Sequence, residues 1–404
     1  MDLPAFHSAM SLKLLWNTWW RKPTLRDDGS DVSRKASWLE LFYDLVFVVI
    51  IAELSHKLAH DVSWEGIGAF VVFFVPAIFM WLGSTIYNDR FDNDDASHRT
   101  LTFLKMLPAA GLALSVHMGI VEGAMGFAFS YAAARVLLAF LWARAGYHNE
   151  PARQMGYRLA MGSMLSASAW ILSAFVDPPL RYALWGLGVV IDVSTPFLTF
   201  KVQDRLPNVS TSHILERYDL FTIIVLGESV VGVVSGVAVN DHPTMQTWIV
   251  ALLGMMIAFG FWWSYFDNST SESPRLTGLW SILRAYMHLP MIIGLAATGA
   301  AVLELVSHQE SVLPNPVMWL LAGGVALALG AMGVIEKAAS QTAEDARVRR
   351  RIAVLRWVSA VVAIVVAVVQ VTDPMYLAGW MAVIVFVQPL FSALFKEREL
   401  VVSR

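Results

Sequence analysis

Apolar runs of about 20 residues recur along almost the whole chain, separated by short polar turns such as DPPLR (Asp177 to Arg181) and TDP (Thr372 to Pro374). Each run is long enough to cross a bilayer as a helix. The pattern predicts twelve spans, at about 39–58, 66–87, 100–121, 124–146, 154–176, 179–200, 216–239, 246–266, 280–305, 314–336, 352–371 and 375–395. A polar segment precedes the first run, so no cleavable signal peptide is expected. Within that segment LKLLWNTWWRK (Leu12 to Lys22) mixes Leu and Trp with Lys13, Arg21 and Lys22. It reads as a short helix on the membrane surface or as a tail packed on the protein.

Composition agrees with a membrane-embedded chain. Of 404 residues, 57% are hydrophobic and only 15% charged, against roughly a quarter charged in a soluble domain. Mean hydropathy is +0.57, and the 16 Trp suit aromatic belts at the interfaces. Membrane lipids are therefore the first expected partners. Cysteine is absent, which excludes disulfides, thiolate metal sites, iron–sulfur clusters and cysteine nucleophiles. A net charge of −3 gives no reason to expect nucleic acid as a partner.

Lys and Arg sort strongly by loop. The N-terminal segment, the alternate loops through Arg90, Arg144, Lys201, Arg284 and Arg347–Arg351, and the C-terminus hold 25 of the 29 basic residues. The opposite loops hold Lys57 and Arg181, while Lys105 and Arg135 fall inside spans. The positive-inside rule then places both termini in the cytoplasm, and the bias supports an even number of spans.

The chain also repeats itself. YDLVFVVIIAE begins at Tyr43 and YDLFTIIVLGE at Tyr218, so Asp44 matches Asp219 and Glu53 matches Glu228. LKMLPAAGLA (Leu104 to Ala113) matches YMHLPMIIGLA (Tyr286 to Ala296) in Leu-Pro followed by Gly-Leu-Ala. The expected fold is thus an all-α integral membrane protein of two six-helix halves in the same orientation, related by an axis along the membrane normal. The halves run 39–200 and 216–395, joined by a cytoplasmic linker at 201–215. A cytoplasmic segment, 1–38, and a tail, 396–404, flank them.

Charges inside apolar spans need a partner, a wet cavity or a function. Glu40 and Asp44 share one helix face, whereas Asp44 and Glu53 face opposite ways about 13 Å apart along the axis. Glu53 and Glu228 both lie near or past the membrane middle. Glu53 and His56 have the E-x-x-H spacing of di-iron bundles, but Val231 stands where a second His would be, so no metal is expected. The plainer reading pairs Glu53 with Lys57 one turn away and lets His56 cap the outer end. Arg135 and Asp192, mid-span at similar depth, form a buried ion pair or gate a polar path. His288 is a proton carrier or a hydrogen-bonded core histidine. The acidic loop YNDRFDNDDASHR (Tyr87 to Arg99) lacks the closing Glu of a calcium loop. Its acids are expected to pair with Arg90, Arg99 and the basic loops. No phosphate-binding loop, nucleophile elbow or zinc helix is present, and no cofactor is expected.

ELFYDLVFV with LSH, then RFDNDD with HR, then LERYDLFTIIVLGES resembles the bacterial low temperature requirement A (LtrA) family over roughly residues 38 to 395. The family pattern has Phe-Gly where Tyr218 and Asp219 stand here, so Asp219 is a less secure functional residue than Glu228. The resemblance implies a multi-pass protein of a bacterial cytoplasmic membrane, with no settled activity. FYDLVFVV is also similar to the F-S-D-x-V-F-A-I element of a lysosomal and bacterial potassium-channel family, through Phe42, Asp44, Val46 and Phe47. That likeness implies a first helix lining a polar path.

Three readings of function follow. The first is a proton- or cation-linked transporter or channel, with Glu53, Glu228, Asp44, Asp219, His56 and His288 along its path. The second is a membrane-embedded enzyme acting on a lipid or hydrophobic substrate with Glu53 and His56 as acid and base. The third is a sensor or scaffold without turnover.

Overall fold

A computed structural model describes residues 19–26, 36–91, 95–203, 206, 211–267, 279–307, 312–339 and 343–402. Twelve long helices account for most of them. They are α1 (Trp38–His60), α2 (Trp64–Arg90), α3 (Ala96–Met118), α4 (Ala124–His148), α5 (Arg153–Ser173) and α6 (Leu180–Leu198). After a single helical turn, Phe200–Gln203, come α7 (Thr211–Ala238), α8 (Met245–Phe266), α9 (Leu279–Ser307), α10 (Asn315–Ala338), α11 (Ala343–Val368) and α12 (Pro374–Val402). Among the described residues there is no strand beyond an isolated bridge between Leu25 and Phe91.

Ten of the twelve are long and apolar enough to cross a membrane. The other two are exceptions of composition. α1 carries Glu40, Asp44, Glu53 and Lys57, and α5 is rich in Gly and Ser. Helix ends lie close to those expected from hydropathy, with two clear differences: α12 continues to Val402, seven residues past its apolar run and through most of the expected tail, and α11 starts early. α11 begins at Ala343, about nine residues before its apolar run, because AEDARVRRR is built largely from Ala, Glu and Arg, all good helix formers. An apolar window does not register such a turn.

The chain forms two compact units. The first comprises Met1–Ile50 and Pro76–Ile214, the second Ile51–Val75 and Leu215–Arg404, so α1 and α2 each pass from one to the other. In the first unit α4 and α5 approach to backbone contact. A Cβ on Gly156 would lie 2.7 Å from the Trp142 carbonyl and 2.9 Å from Gly146 Cα. In the second, a Cβ on Gly294 would lie 2.6 Å from the Gly324 carbonyl, so α9 and α10 are equally close. Small residues let apolar helices gain dispersion contacts where lipid leaves no hydrophobic drive.

Tyr87, Phe91 and Trp142 form an aromatic cluster at one end of the first unit. Residues 19–26 lie against it: Leu25 packs on the cluster, Asn149 Nδ2 donates to the Pro23 carbonyl at 2.8 Å, and the Trp20 ring sits 4.5 Å from the Arg144 guanidinium. The remainder of the LKLLWNTWWRK segment, 12–18, lies outside the described residues, as do Asp92 and Asp94 of the acidic loop.

Asp95, one of the two described acids of that loop with Asp89, is buried and caps α3. Its carboxylate accepts from the His98 N–H (3.0 Å), the Ser97 hydroxyl (2.9 Å) and the Arg21 N–H (3.0 Å). The Arg144 guanidinium in turn donates to the Arg21 carbonyl. Burial pushes the Asp95 carboxyl up, but these hydrogen bonds and the Arg144 charge outweigh it and hold it below its ordinary value. A carboxyl depressed in the folded state contributes stability above its unfolded value, about 3.9, and loses it as pH falls through the lower folded value. Asp95→Asn is therefore expected to lower the thermal midpoint at pH 7 but to narrow its gap from wild type between about pH 5 and pH 3. A gap that stays constant over that range would mean the charge on Asp95 is not what stabilises.

Candidate functional site

Polar groups inside the helices collect into separate clusters in each unit. In the second, His56 on α1 and Glu228 on α7 face each other, His56 Nε2 to Glu228 Oε1 at 3.5 Å. The Glu228 side chain is nearly buried at 10% exposure, while the imidazole keeps 45%. Glu53 is half-buried three residues before His56 and shares its helix face. Lys57 is exposed. The helices thus bring His56 to a carboxylate that has no cation near it in sequence, and two carboxylates and an imidazole occupy one neighbourhood.

Asp219 and His288 belong to a second cluster of the same unit. The Tyr265 hydroxyl hydrogen-bonds Asp219. The buried His288 ring stacks on Tyr218 at 4.1 Å between centroids and meets Tyr265 edge-on. Its Nδ1 lies 2.8 Å from the Arg284 carbonyl. A carbonyl can only accept, so Nδ1 carries the proton. Arg284 and His288 line a small cavity, with room for about one water, together with Glu336, Arg349 and Arg356. There Glu336 pairs with Arg349 (2.9 Å) and Arg356 (3.2 Å), and Arg356 also donates to the Met332 and Ser264 carbonyls. Charges buried in this way are tolerated because they are hydrogen-bonded as well as paired.

In the first unit Asp44 is buried and accepts from the Trp81 indole at 2.7 Å. Lys105, also buried, donates to the Ser84 hydroxyl at 2.6 Å and lies 5.1 Å from the Tyr43 ring centroid. Arg135 Nη2 lies 2.8 Å from Asp192 Oδ2, with both side chains almost fully buried. The Tyr131 hydroxyl joins them, accepting from Arg135 Nε at 2.9 Å and donating to Asp192 at 2.7 Å. Ser166 adds a donor to the same carboxylate oxygen at 2.9 Å. Trp170 packs against Tyr131, and Gly188 gives its indole room: a Cβ there would lie 2.4 Å from Trp170 Nε1.

A third cluster, also in the first unit, has no counterpart in the sequence expectations. His213, fully buried, has Nδ1 2.9 Å from Asp89 Oδ1 and Nε2 3.4 Å from Glu40 Oε2. Glu40 also accepts from the Ser37 N–H and hydroxyl. A ring flanked by two carboxylates is best satisfied as a donor at both nitrogens. Tyr131 has a sequence signal, since it stands one turn before Arg135. Ser166, His213 and Glu336 have none, because each meets its partners only through tertiary packing.

The comparisons accord with these features. An uncharacterized protein of Rhizobium meliloti (strain 1021), RA0937, is 28% identical over 293 residues, covering 68% of this chain and 70% of its own. No solved structure matches. The model of the family described as bacterial low temperature requirement A protein (LtrA) matches residues 35–388. That stretch holds α1 to α11 whole, the first half of α12 and all the polar clusters just described. The chain is therefore a multi-pass helical membrane protein that belongs to the LtrA family.

Proposed function

We propose that this protein is a permeation protein, a proton- or cation-linked transporter or channel, with Glu53, His56 and Glu228 at its working centre. The observation that carries this reading is the His56–Glu228 approach at 3.5 Å. A carboxylate and an imidazole so placed can share, take up and release a proton, and ionisable groups within spans usually mark ion or proton paths. The half-open imidazole gives the pair a face on which a proton can arrive. Asp219 and His288, on the Tyr-Asp and Leu-Pro helices of the second unit, and Asp44, on the Tyr-Asp helix of the first, are further polar groups assigned to permeation, and protons or small cations are the substrates. The decisive assay is flux into proteoliposomes under imposed pH and cation gradients; no flux above empty vesicles for any cation tested would overturn the reading.

Two parallel six-helix repeats are part of this proposal, and local geometry supports them. In each unit the Tyr of the Tyr-Asp pair packs on the helix that carries Leu-Pro, Tyr43 by Lys105 and Tyr218 by His288. In each, the Asp accepts a hydrogen bond from an aromatic residue of the following helix, Trp81 or Tyr265. We place both termini in the cytoplasm of a bacterial inner membrane. Reporter fusions after Arg205 and Arg404 should then report cytoplasm, and one near Asp241 the outside. A cytoplasmic signal at Asp241 would remove the basis for equating the halves.

One observation favours a second reading. An imidazole open on one side, with Glu228 against it and Glu53 one turn away, is also an acid–base set for a membrane-embedded enzyme. Turnover of a hydrophobic substrate that is lost in His56→Gln, with no ion flux in wild type, would select it.

A further inference from the structure

The arginines at the start of α11 divide cleanly by helix face. Arg349 and Arg356 point inward to Glu336. Arg347, Arg350 and Arg351 are exposed. Further along, Val354, Val358, Val361, Val365 and Val369 are exposed as well, each by close to half or more of its surface. At 100° per residue, Arg347 lies on the centre line of that valine stripe, Arg351 in line with Val369 at one edge, and Arg350 about 20° beyond Val361 at the other. Arg349 and Arg356 fall on the opposite side. A stripe of five exposed valines on a membrane-crossing helix is the side that meets acyl chains. At 1.5 Å per residue it runs about 22 Å from Val354 to Val369, most of a hydrocarbon core of about 30 Å. Arg351 sits less than one turn beyond its end and Arg347 about one turn further.

The same face thus passes from acyl-chain contact to three guanidinium groups over the depth at which phospholipid phosphates lie. Lys337, at the end of α10, adds a fourth exposed cation: its Nζ lies 5.8 Å from the Trp357 ring, on the same edge of α11 as Arg350 and about two turns along from it. The carboxylate of Glu336, next to Lys337 in sequence, is committed inward to Arg349 and Arg356.

We infer that Arg347, Arg350 and Arg351, with Lys337, form a binding site for the phosphate headgroup of an anionic phospholipid whose acyl chains lie along the Val354–Val369 stripe. Guanidinium forks suit phosphate oxygens, and a juxtamembrane cluster of about four or more basic residues is the sequence form of anionic-lipid recognition. The inference rests on neither transport nor orientation, since it needs only that α11 crosses the membrane.

The test uses the whole protein purified in detergent. Phosphatidylglycerol, phosphatidylcholine and inorganic phosphate are added separately, and thermal stability and lipid retention by native mass spectrometry are read. Phosphatidylglycerol should stabilise wild type and be retained where phosphatidylcholine is not, and raised salt should weaken both effects. Retention should fall roughly fivefold per arginine neutralised in R347Q, R350Q and R351Q, while R347K/R350K/R351K keeps most of it. Equal retention of the two lipids by wild type, a triple glutamine variant that holds phosphatidylglycerol as well as wild type, or an equal shift with inorganic phosphate would each overturn the assignment. Should the triple glutamine variant not fold, the comparison of lipids and salt on wild type decides alone.

Discussion

Glu228→Gln is expected to reduce pH-dependent flux in proteoliposomes to the level of empty vesicles while leaving the protein folded in the membrane. Glutamine keeps the shape of the side chain and most of its hydrogen bonding, so packing of α7 around Val225 and Ser229 is preserved. It removes the carboxylate that lies 3.5 Å from His56 Nε2. His56→Gln leaves the carboxylate but removes its partner, so flux should persist with a displaced pH midpoint. Glu53→Gln should have a smaller effect than Glu228→Gln, because Glu228 is the carboxylate that lies 3.5 Å from His56. Wild-type flux and wild-type pH dependence in Glu228→Gln would return that residue to a structural role and sink the proposed pathway.

Asp192→Asn is expected to cause the largest loss of stability of any single conservative change in the first unit. The carboxylate accepts from Arg135, Tyr131 and Ser166 on one oxygen. Neutralising it takes away the carboxylate 2.8 Å from the buried Arg135 charge. Breaking a buried pair from one side costs about 3–5 kcal/mol in a soluble core, whereas polar contacts between membrane helices average well below that. A loss of about 2–4 kcal/mol is the resulting expectation, read as a thermal midpoint lower by several degrees in detergent. Arg135→Gln combined with Asp192→Asn should recover part of it. Tyr131→Phe should cost about 1–3 kcal/mol, since it removes one hydroxyl that serves both charges but leaves their direct contact at 2.8 Å. No recovery in the double variant would mean that Arg135 and Asp192 do not stabilise each other.

Much of the architecture is legible in the chain itself, because one physical constraint dominates. A helix that must satisfy its own backbone in lipid needs about 20 apolar residues, and the twelve apolar runs lie on the twelve long helices within a few residues at most ends. The charged start of α11 escapes for the converse reason: Ala, Glu and Arg propensity stabilises that turn, and hydropathy ignores propensity. Pairs four apart on one helix are legible too, as Tyr131 and Arg135 are.

Contacts between helices distant in sequence carry no such local signal. Composition and period alone determined that the chain is helical, multi-pass and studded with charges inside its apolar runs. Only the tertiary structure decided that His56 on α1 faces Glu228 on α7, that His213 sits between Glu40 and Asp89, and that Glu336 turns inward to Arg349 and Arg356. The physical reason is that hydropathy measures transfer of each residue from water to lipid, summed along one helix. Which charge meets which is set by the rotation and register of packed helices, and these follow from side-chain shape at close approaches such as Gly156 on Gly146 and Gly294 on Gly324.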